Sequence, residues 1–392
     1  MNTPADSQET SIAQTPHRPK VIRRAFLLLL LVLLLIPVAL KALAGYSPVV
    51  NVRNTVDALG GRVNTAVAVP EFLQSISGKD WDGWDKFYGG VEVDGILLDQ
   101  TPTGDEDLVL LQQTPRLSSL TLGHTKITDA GVKNFSHVVL LRRLDLNGTK
   151  ITDAGMEALK ALTVLQDLNL STTAISDVGA AKLAGLKNLI TLDLSGTAVT
   201  DVSLSSVSGI PGLTTLILDH CNLTDEGLAS LKNCKSLTSL SLAGIPLTGS
   251  FLKELNEVPL EYLNLVDSSC DGTAFTDGGQ GRSLKNLNLE NCPVEDAGVA
   301  AIARFPTIET LSLDNTKITG QGIAVLKDMP QLITLSLNST PVSAEELREL
   351  KDAPNLKLIK ANKTGVTRGD VDTLTAEIKS FAVFIGSSGG GG

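Results

Sequence analysis

Aromatic side chains make up only 4% of this 392-residue chain, so any large core must be aliphatic. Four cysteines are too few for a disulfide framework in a chain of this length, and none forms a CxxC pair, which argues against a thiol-based metal or redox motif. Four histidines, and the absence of a P-loop, GxSxG, HExxH or kinase motif, leave little from which to assemble a catalytic group. Positive charge is also scarce. The net charge is −10, and residues 1–44 hold five cations (Arg18, Lys20, Arg23, Arg24, Lys41) against two anions (Asp6, Glu9), so everything after them is strongly acidic. An acidic body lacks the clustered Lys and Arg that phosphate binding needs, which excludes duplex nucleic acid as a partner. No cofactor, no metal and no enzymatic activity are expected.

What is present begins with one apolar segment. Residues 1–24 form a polar, basic tail expected to be disordered and cytoplasmic. Ala25 to Leu40 run without a charge, and extension past Lys41 to Ala44 gives a span long enough to cross a bilayer, with Lys41 reaching the headgroups. Basic residues before the span and an acidic domain after it predict the N-terminus inside and the remainder outside the cytoplasm. The leucine run exceeds an ordinary signal-peptide core, which favours an uncleaved anchor over residues 25–44. Two rival readings stay open: Ala42-Leu43-Ala44 has the small residues of a cleavage site, and Arg23-Arg24-Ala25-Phe26-Leu27 resembles a twin-arginine signal.

Self-comparison yields the organising pattern. The frame Leu117-x-x-Leu120-x-Leu122-x-x-Thr125-x-Ile127-Thr128-Asp129 restarts at Val93, Leu117, Leu141, Leu165, Leu189, Leu213, Leu237, Leu260, Leu284, Ile308, Leu332 and Leu356. Every step is 24 residues except Leu237 to Leu260, which is 23. The alternating Leu-x-Leu predicts a short strand whose leucines point inward. Thr at the ninth position, or Cys221 and Cys292 in its place, predicts a side chain bonded to turn backbone groups. The Thr-Asp-x-Gly that follows predicts a helix start, with Thr as N-cap and Asp favoured by the macrodipole. Helically spaced apolar residues such as Met156, Leu159 and Leu162 complete the coil. Stacked coils place strands in a parallel sheet on the concave side and short helices on the convex side. All four cysteines fall on packing positions: Cys270 stands where Ile127 does, and Cys234 is a last helix contact. His124 and His220 share a frame position four coils apart, about 20 Å at one strand spacing per coil, too far to share a metal.

The array at 93–367 needs ends. Residues 45–92 are expected to cap the first coil, with a helix beginning at Val56-Asp57-Ala58-Leu59 and stopping at Gly60-Gly61, and with Trp81 and Trp84 covering apolar surface. Residues 368–386 are expected to close the last coil, and 387–392 form a flexible tail. Arg368-Gly369-Asp370 spells an integrin tripeptide but falls at a repeat's helix start. Asp271 to Arg282 is too rich in Gly for a helix and predicts an irregular loop.

The frame matches L-x-x-L-x-L-x-x-N/C-x-L and so resembles the leucine-rich repeat. With its Thr-Asp-x-Gly turns, the chain looks like bacterial membrane-anchored leucine-rich repeat proteins, and its repeats are similar to the cysteine-containing repeats of F-box proteins. The lead-in Asp57-Ala58-Leu59-Gly60-Gly61-Arg62-Val63 also resembles that bacterial group. The likeness covers residues 50–380 and implies a curved α/β solenoid that binds proteins; it carries no catalytic residues, and no F-box precedes the repeats. The concave face is the remaining candidate site. Its outward residues are small and mildly acidic, which suits a basic protein or peptide. Arg143, Asp145, Asp193, Asp219, Tyr262, Glu290 and Asp314 are the candidate contacts, with Tyr262, Asp219 and Glu290 foremost because aromatic anchors dominate interfaces. The competing expectations are that these residues merely solvate the sheet of a structural envelope component, or that the chain is a binding protein secreted after cleavage.

Overall fold

The computed structural model describes residues 48–66, 92–276, 283–378 and 380–385. The apolar span 25–44, the aromatic stretch 70–88 and residues 277–282 of the Gly-rich loop lie outside the described residues. Among the described residues no helix is long and apolar enough to cross a membrane. The chain divides into two units, residues 1–51 with 67–91, and residues 52–66 with 92–392. The second unit contains the repeats.

Its centre is a 14-stranded sheet in strict chain order. The expected leucines hold the strands in place. β3 (Ser119–Thr121), β4 (Arg143–Asp145) and β5 (Asp167–Asn169) align Leu120 with Leu144 and Leu144 with Leu168, and the same in-register pairing runs from β2 (Glu92–Leu97) to β13 (Leu358–Lys360). Leu117, Leu120 and Leu122 are fully buried, and their equivalents are buried in every frame. At about 2 kcal/mol for each buried Leu, a coil cannot hide its apolar side alone but does so by stacking on two neighbours. The buried aromatics among the described residues, Phe135, Phe251, Phe275, Phe305 and Phe381, all lie outside the strands.

The ninth-position threonines act as expected. Thr125 and Thr149 each donate from Oγ1 to the carbonyls of Leu122 and Leu146 at 2.6 Å, and both are buried. Cys221 and Cys292 use the same place differently, pointing Sγ at the carbonyls of Leu194 and Leu265 in the preceding coil at 3.2 and 3.0 Å.

The Thr-Asp-x-Gly turn does more than start a helix. Thr200 and Thr224 are N-caps, bonded through their hydroxyls to Val202 and Gly227 amides. The aspartate, read from sequence as a dipole partner within its own turn, reaches into the next coil. Asp129 accepts the Thr152 backbone N–H at 2.8 Å and its hydroxyl at 2.6 Å. Equivalent clamps join Asp105 to Thr128, Asp153 to Ser176, Asp177 to Thr200, Asp201 to Thr224 and Asp225 to Thr248. The glycine makes room for this: a Cβ on Gly155 would lie 2.5 Å from the Asp129 carboxylate. The run breaks where Gly249 and Gly272 replace the aspartate. It returns once, at Asp296 and Thr319. After that, Ser343 with Glu346 and Thr367 with Asp370 form local capping boxes. The Arg368-Gly369-Asp370 tripeptide is thus part of a helix start.

The 23-residue step leaves the sheet intact, since Leu240 still pairs with Leu263. The missing residue comes from the turn ahead of the strand. Leu237 N–H reaches back three residues to Cys234, whereas Leu260 N–H reaches back only two, to Val258. Convex elements around this step are 3-10 turns, Ser250–Leu255 and Thr273–Thr276, rather than α-helix.

At the N-side the helix is Pro48–Ala58, not a helix beginning at Val56. Val52 and Val56 are its buried residues within the repeat unit. It ends at Gly60 in a left-handed conformation and at Gly61, where a Cβ would strike Leu97 and Leu98. The chain then forms β1 (Arg62–Ala66), antiparallel to β2, an element the sequence reading lacked. At the C-side the helix Arg368–Glu377 leads into β14 (Ala382–Phe384), which pairs in parallel with β13 at the same 24-residue offset.

Candidate functional site

The outward face of the sheet is built from three positions per frame, the third, fifth and seventh, which flank the inward leucines. One backbone group there poses a problem. The seventh residue has just left the strand, and its N–H has no ladder partner. A side chain supplies one in two ways. An Asp or Asn at the fifth position accepts it within the frame: Asp145 from Asn147 and Asp193 from Ser195, both at 2.9 Å. Alternatively, an Asp or Asn at the seventh position of the preceding frame accepts it. Asp219 takes the Ala243 N–H, Asp314 takes that of Asn338, and Asn338 takes that of Asn362, each at 2.8 Å. The mild acidity of this face therefore has a structural cause that sequence reasoning missed. It neither solvates the sheet passively nor marks a ligand by itself.

The seven candidate residues separate accordingly. Asp145, Asp193, Asp219 and Asp314 are all engaged in this way. Burial pushes the Asp145 carboxyl up, and the nearby charge of Asp99 adds to that, against the bonds from Asn147 and Asn169. Arg143 is largely exposed but pairs with Asp167 of the next strand at 3.2 Å. It lies five strands from Tyr262, about 24 Å along the sheet, so the candidates do not form one patch.

A smaller group does form around β9 (Tyr262–Asn264). Tyr262 is 38% exposed in a sheet whose neighbouring outward residues are Ser239, Ser241, Asn264 and Asn286. Asp219 accepts the Ser241 hydroxyl at 2.6 Å, and Asn264 donates to that same hydroxyl at 2.9 Å, so a bonded row of polar groups crosses three coils beside the ring. Burial raises the Tyr262 phenol above its ordinary range, and the charge of Asp219 raises it further. The phenol is therefore a neutral donor at physiological pH, within the field of the Asp219 carboxylate two coils away. Among the described residues no hydrogen bond or ion pair holds the Glu290 carboxylate, three frames beyond Asp219 along the seventh-position row.

Chemistry of other kinds is not assembled. His124 and His220 occupy the left-handed eighth position, with φ of 57° and 58°, and pack over Gly148 and Gly244 of the next coil. Burial pushes the thiols of Cys234 and Cys270 up to about 11 and about 12, so both are protonated and inert. Among the described residues no three His, Cys, Asp or Glu side chains converge to hold a metal ion.

Comparison with known proteins agrees with this architecture. A family model described as "Leucine rich repeat" matches residues 115–175 and 164–223, and a second of that description matches 282–303. No curated protein sequence matches the chain. Among solved structures, an internalin (inlF) from Listeria monocytogenes is 21% identical with a TM-score of 0.55, covering 80% of this chain and 93% of its own. A leucine-rich repeat protein of Leptospira interrogans is 17% identical with a TM-score of 0.51, covering 70% of this chain and 74% of its own. The mouse RP105/MD-1 complex supplies a chain 19% identical with a TM-score of 0.52, covering 68% of this chain and 46% of its own. At these identities the likeness concerns the fold alone.

Proposed function

We propose that this leucine-rich repeat chain is a non-catalytic scaffold that seats a basic protein or peptide on the outward face of its sheet, around Tyr262. Leucine-rich repeat domains typically serve as protein-binding scaffolds. Tyr262 carries the assignment: among the described residues it is the one exposed aromatic ring in the middle of the sheet, with Ser239, Ser241, Asn264 and Asn286 around it, and a rigid ring with a polar tip is the usual centre of an interface. Asp219 and Glu290 flank it with negative charge, which favours a cationic partner. We further propose that residues 25–44 tether the chain to a membrane, with residues 1–24 in the cytoplasm and the repeats outside it, as in the bacterial membrane-anchored group that its Thr-Asp-x-Gly repeats resemble. The uncharged run Ala25 to Leu40 with Arg23 and Arg24 before it supports that reading.

Affinity capture with the wild-type chain, Tyr262→Ala and Asp219→Lys tests the binding face. Proteins retained by the wild type and lost from both variants, at unchanged circular dichroism, support it. Proteins retained equally by all three contradict it. Membrane fractionation with N-terminal sequencing tests the tether: a membrane-bound chain beginning upstream of Ala25 supports an anchor, and a soluble chain beginning after Ala44 overturns it.

A further inference from the structure

The two ends of the sheet are finished differently. At the first end the antiparallel β1 covers the edge of β2. At the other end β14 is the last strand, paired only with β13 among the described residues. Ala382 N–H bonds to Lys357 O and Ala361 N–H to Phe384 O, both at 2.9 Å, so residues 382 and 384 face β13. By the alternation of a parallel ladder, the N–H and C=O of Val383 point to the open side. Natural edge strands are blunted by charge, proline or a bulge, and Ala382-Val383-Phe384 has none of these.

Side chains at this edge specify what fits. Val383, Phe384 and Ile385 line an open groove together with Arg368, Val371 and Asp372 of the last helix, whose two charges are opposite in sign. On the outward side Phe384 is 56% exposed. Lys360 stands in register with it, and Lys357 and Lys363 lie three residues to either side of Lys360 in the same frame; all three are exposed. None of the three has a carboxylate partner among the described residues. Elsewhere in the outward face the charges are mostly acidic, so this end is the reverse of the rest.

We propose that the open edge of β14 is a second docking site, separate from the Tyr262 face, which takes an extended acidic peptide strand by β-augmentation. The added strand's backbone pairs with Val383. Alternate side chains are apolar, covering Val383 and Val371, and acidic, reaching past Phe384 to the lysines.

The test uses the full chain in detergent micelles and fluorescence polarisation of two labelled nine-residue peptides, one alternating Val and Glu, the other Val and Lys. The Val-Glu peptide is expected to bind saturably, at least about tenfold tighter than the Val-Lys peptide, and to lose about tenfold on combined Lys357→Glu, Lys360→Glu and Lys363→Glu. Val383→Pro removes the outward N–H but leaves the bonds to β13, and is expected to abolish binding. Phe384→Glu, which keeps the backbone intact and sets a like charge against the acidic side chains, is expected to weaken it as well, and Tyr262→Ala to leave it unchanged. Equal binding of both peptides, no saturable binding, or Val-Glu binding that survives both Val383→Pro and Phe384→Glu overturns the proposal. So does a dimer of the chain that Val383→Pro dissolves, since a second copy would then be the occupant.

Discussion

Single residues in this chain answer to backbone groups 23 or 24 positions away. Asp177 shows this most clearly. Its carboxylate accepts from Thr200 N–H at 2.8 Å and Thr200 Oγ1 at 2.7 Å, and also from the Ser203 hydroxyl, which stands where the two preceding frames have Gly155 and Gly179. Burial pulls its carboxyl up, but the bonds from Ser203 and Thr200 outweigh burial and hold it below the usual range. Asp296 behaves alike, with burial opposed by Thr319 and Gly322. A carboxylate whose pKa is depressed on folding stabilises the fold above its unfolded pKa, and that contribution is lost as pH falls through the folded value. Urea midpoints should therefore be level near neutrality and fall below about pH 4. Asp177→Asn should flatten that fall, and an unchanged pH profile would contradict the clamp. Thr149→Val removes the buried bond to Leu146 O and should cost about 1 kcal/mol in the same assay. Cysteine makes the opposite prediction: Cys234 and Cys270 should resist alkylation at pH 8 until the chain is unfolded, because both are buried and protonated.

Sequence patterns disclosed most elements but not every bond between them. The strands were legible because Leu-x-Leu repeats every 24 residues, and the N-caps because Thr or Ser precedes Asp. The clamp was not, since a local reading of Asp129 sees only its own helix start and not Thr152 in the next coil. For the same reason the acids of the outward face read as a surface charge, whereas Asp145 and Asp219 serve orphaned seventh-position amides. The helix Pro48–Ala58 was hidden by its β-branched valines, which weaken any helical signal. β1 was hidden because Arg62, Asn64 and Thr65 give no apolar alternation. Where the clamp fails, around Gly249 to Phe275, the step shortens to 23 residues and the convex side carries 3-10 turns, as it also does in the clamped coils at Asp105–Gln113 and Gly131–His137. Asp225 still holds Thr248, Gly249 and Phe251, but neither Gly249 nor Gly272 carries a carboxylate to clamp the coil after it against local opening. Hydrogen exchange should be fastest within the array over residues 249–276, and protection there equal to that of residues 129–207 would contradict this account.

For the molecule as a whole, each coil contacts only its neighbours, so stability accumulates along the stack and function is a matter of which surface is offered. The fold was legible from repetition alone. The site was legible only in part, because outward positions answer both to backbone pairing and to any partner, and one sequence does not separate the two demands. Tyr262 stands out because pairing gives no reason for a ring there. The direct test is a photo-crosslinking residue placed at Tyr262 and, separately, at Val202, an exposed apolar position on a convex helix. A partner that crosslinks at 262 and not at 202 is the predicted result, and crosslinking at 202 alone would contradict a binding face on the sheet.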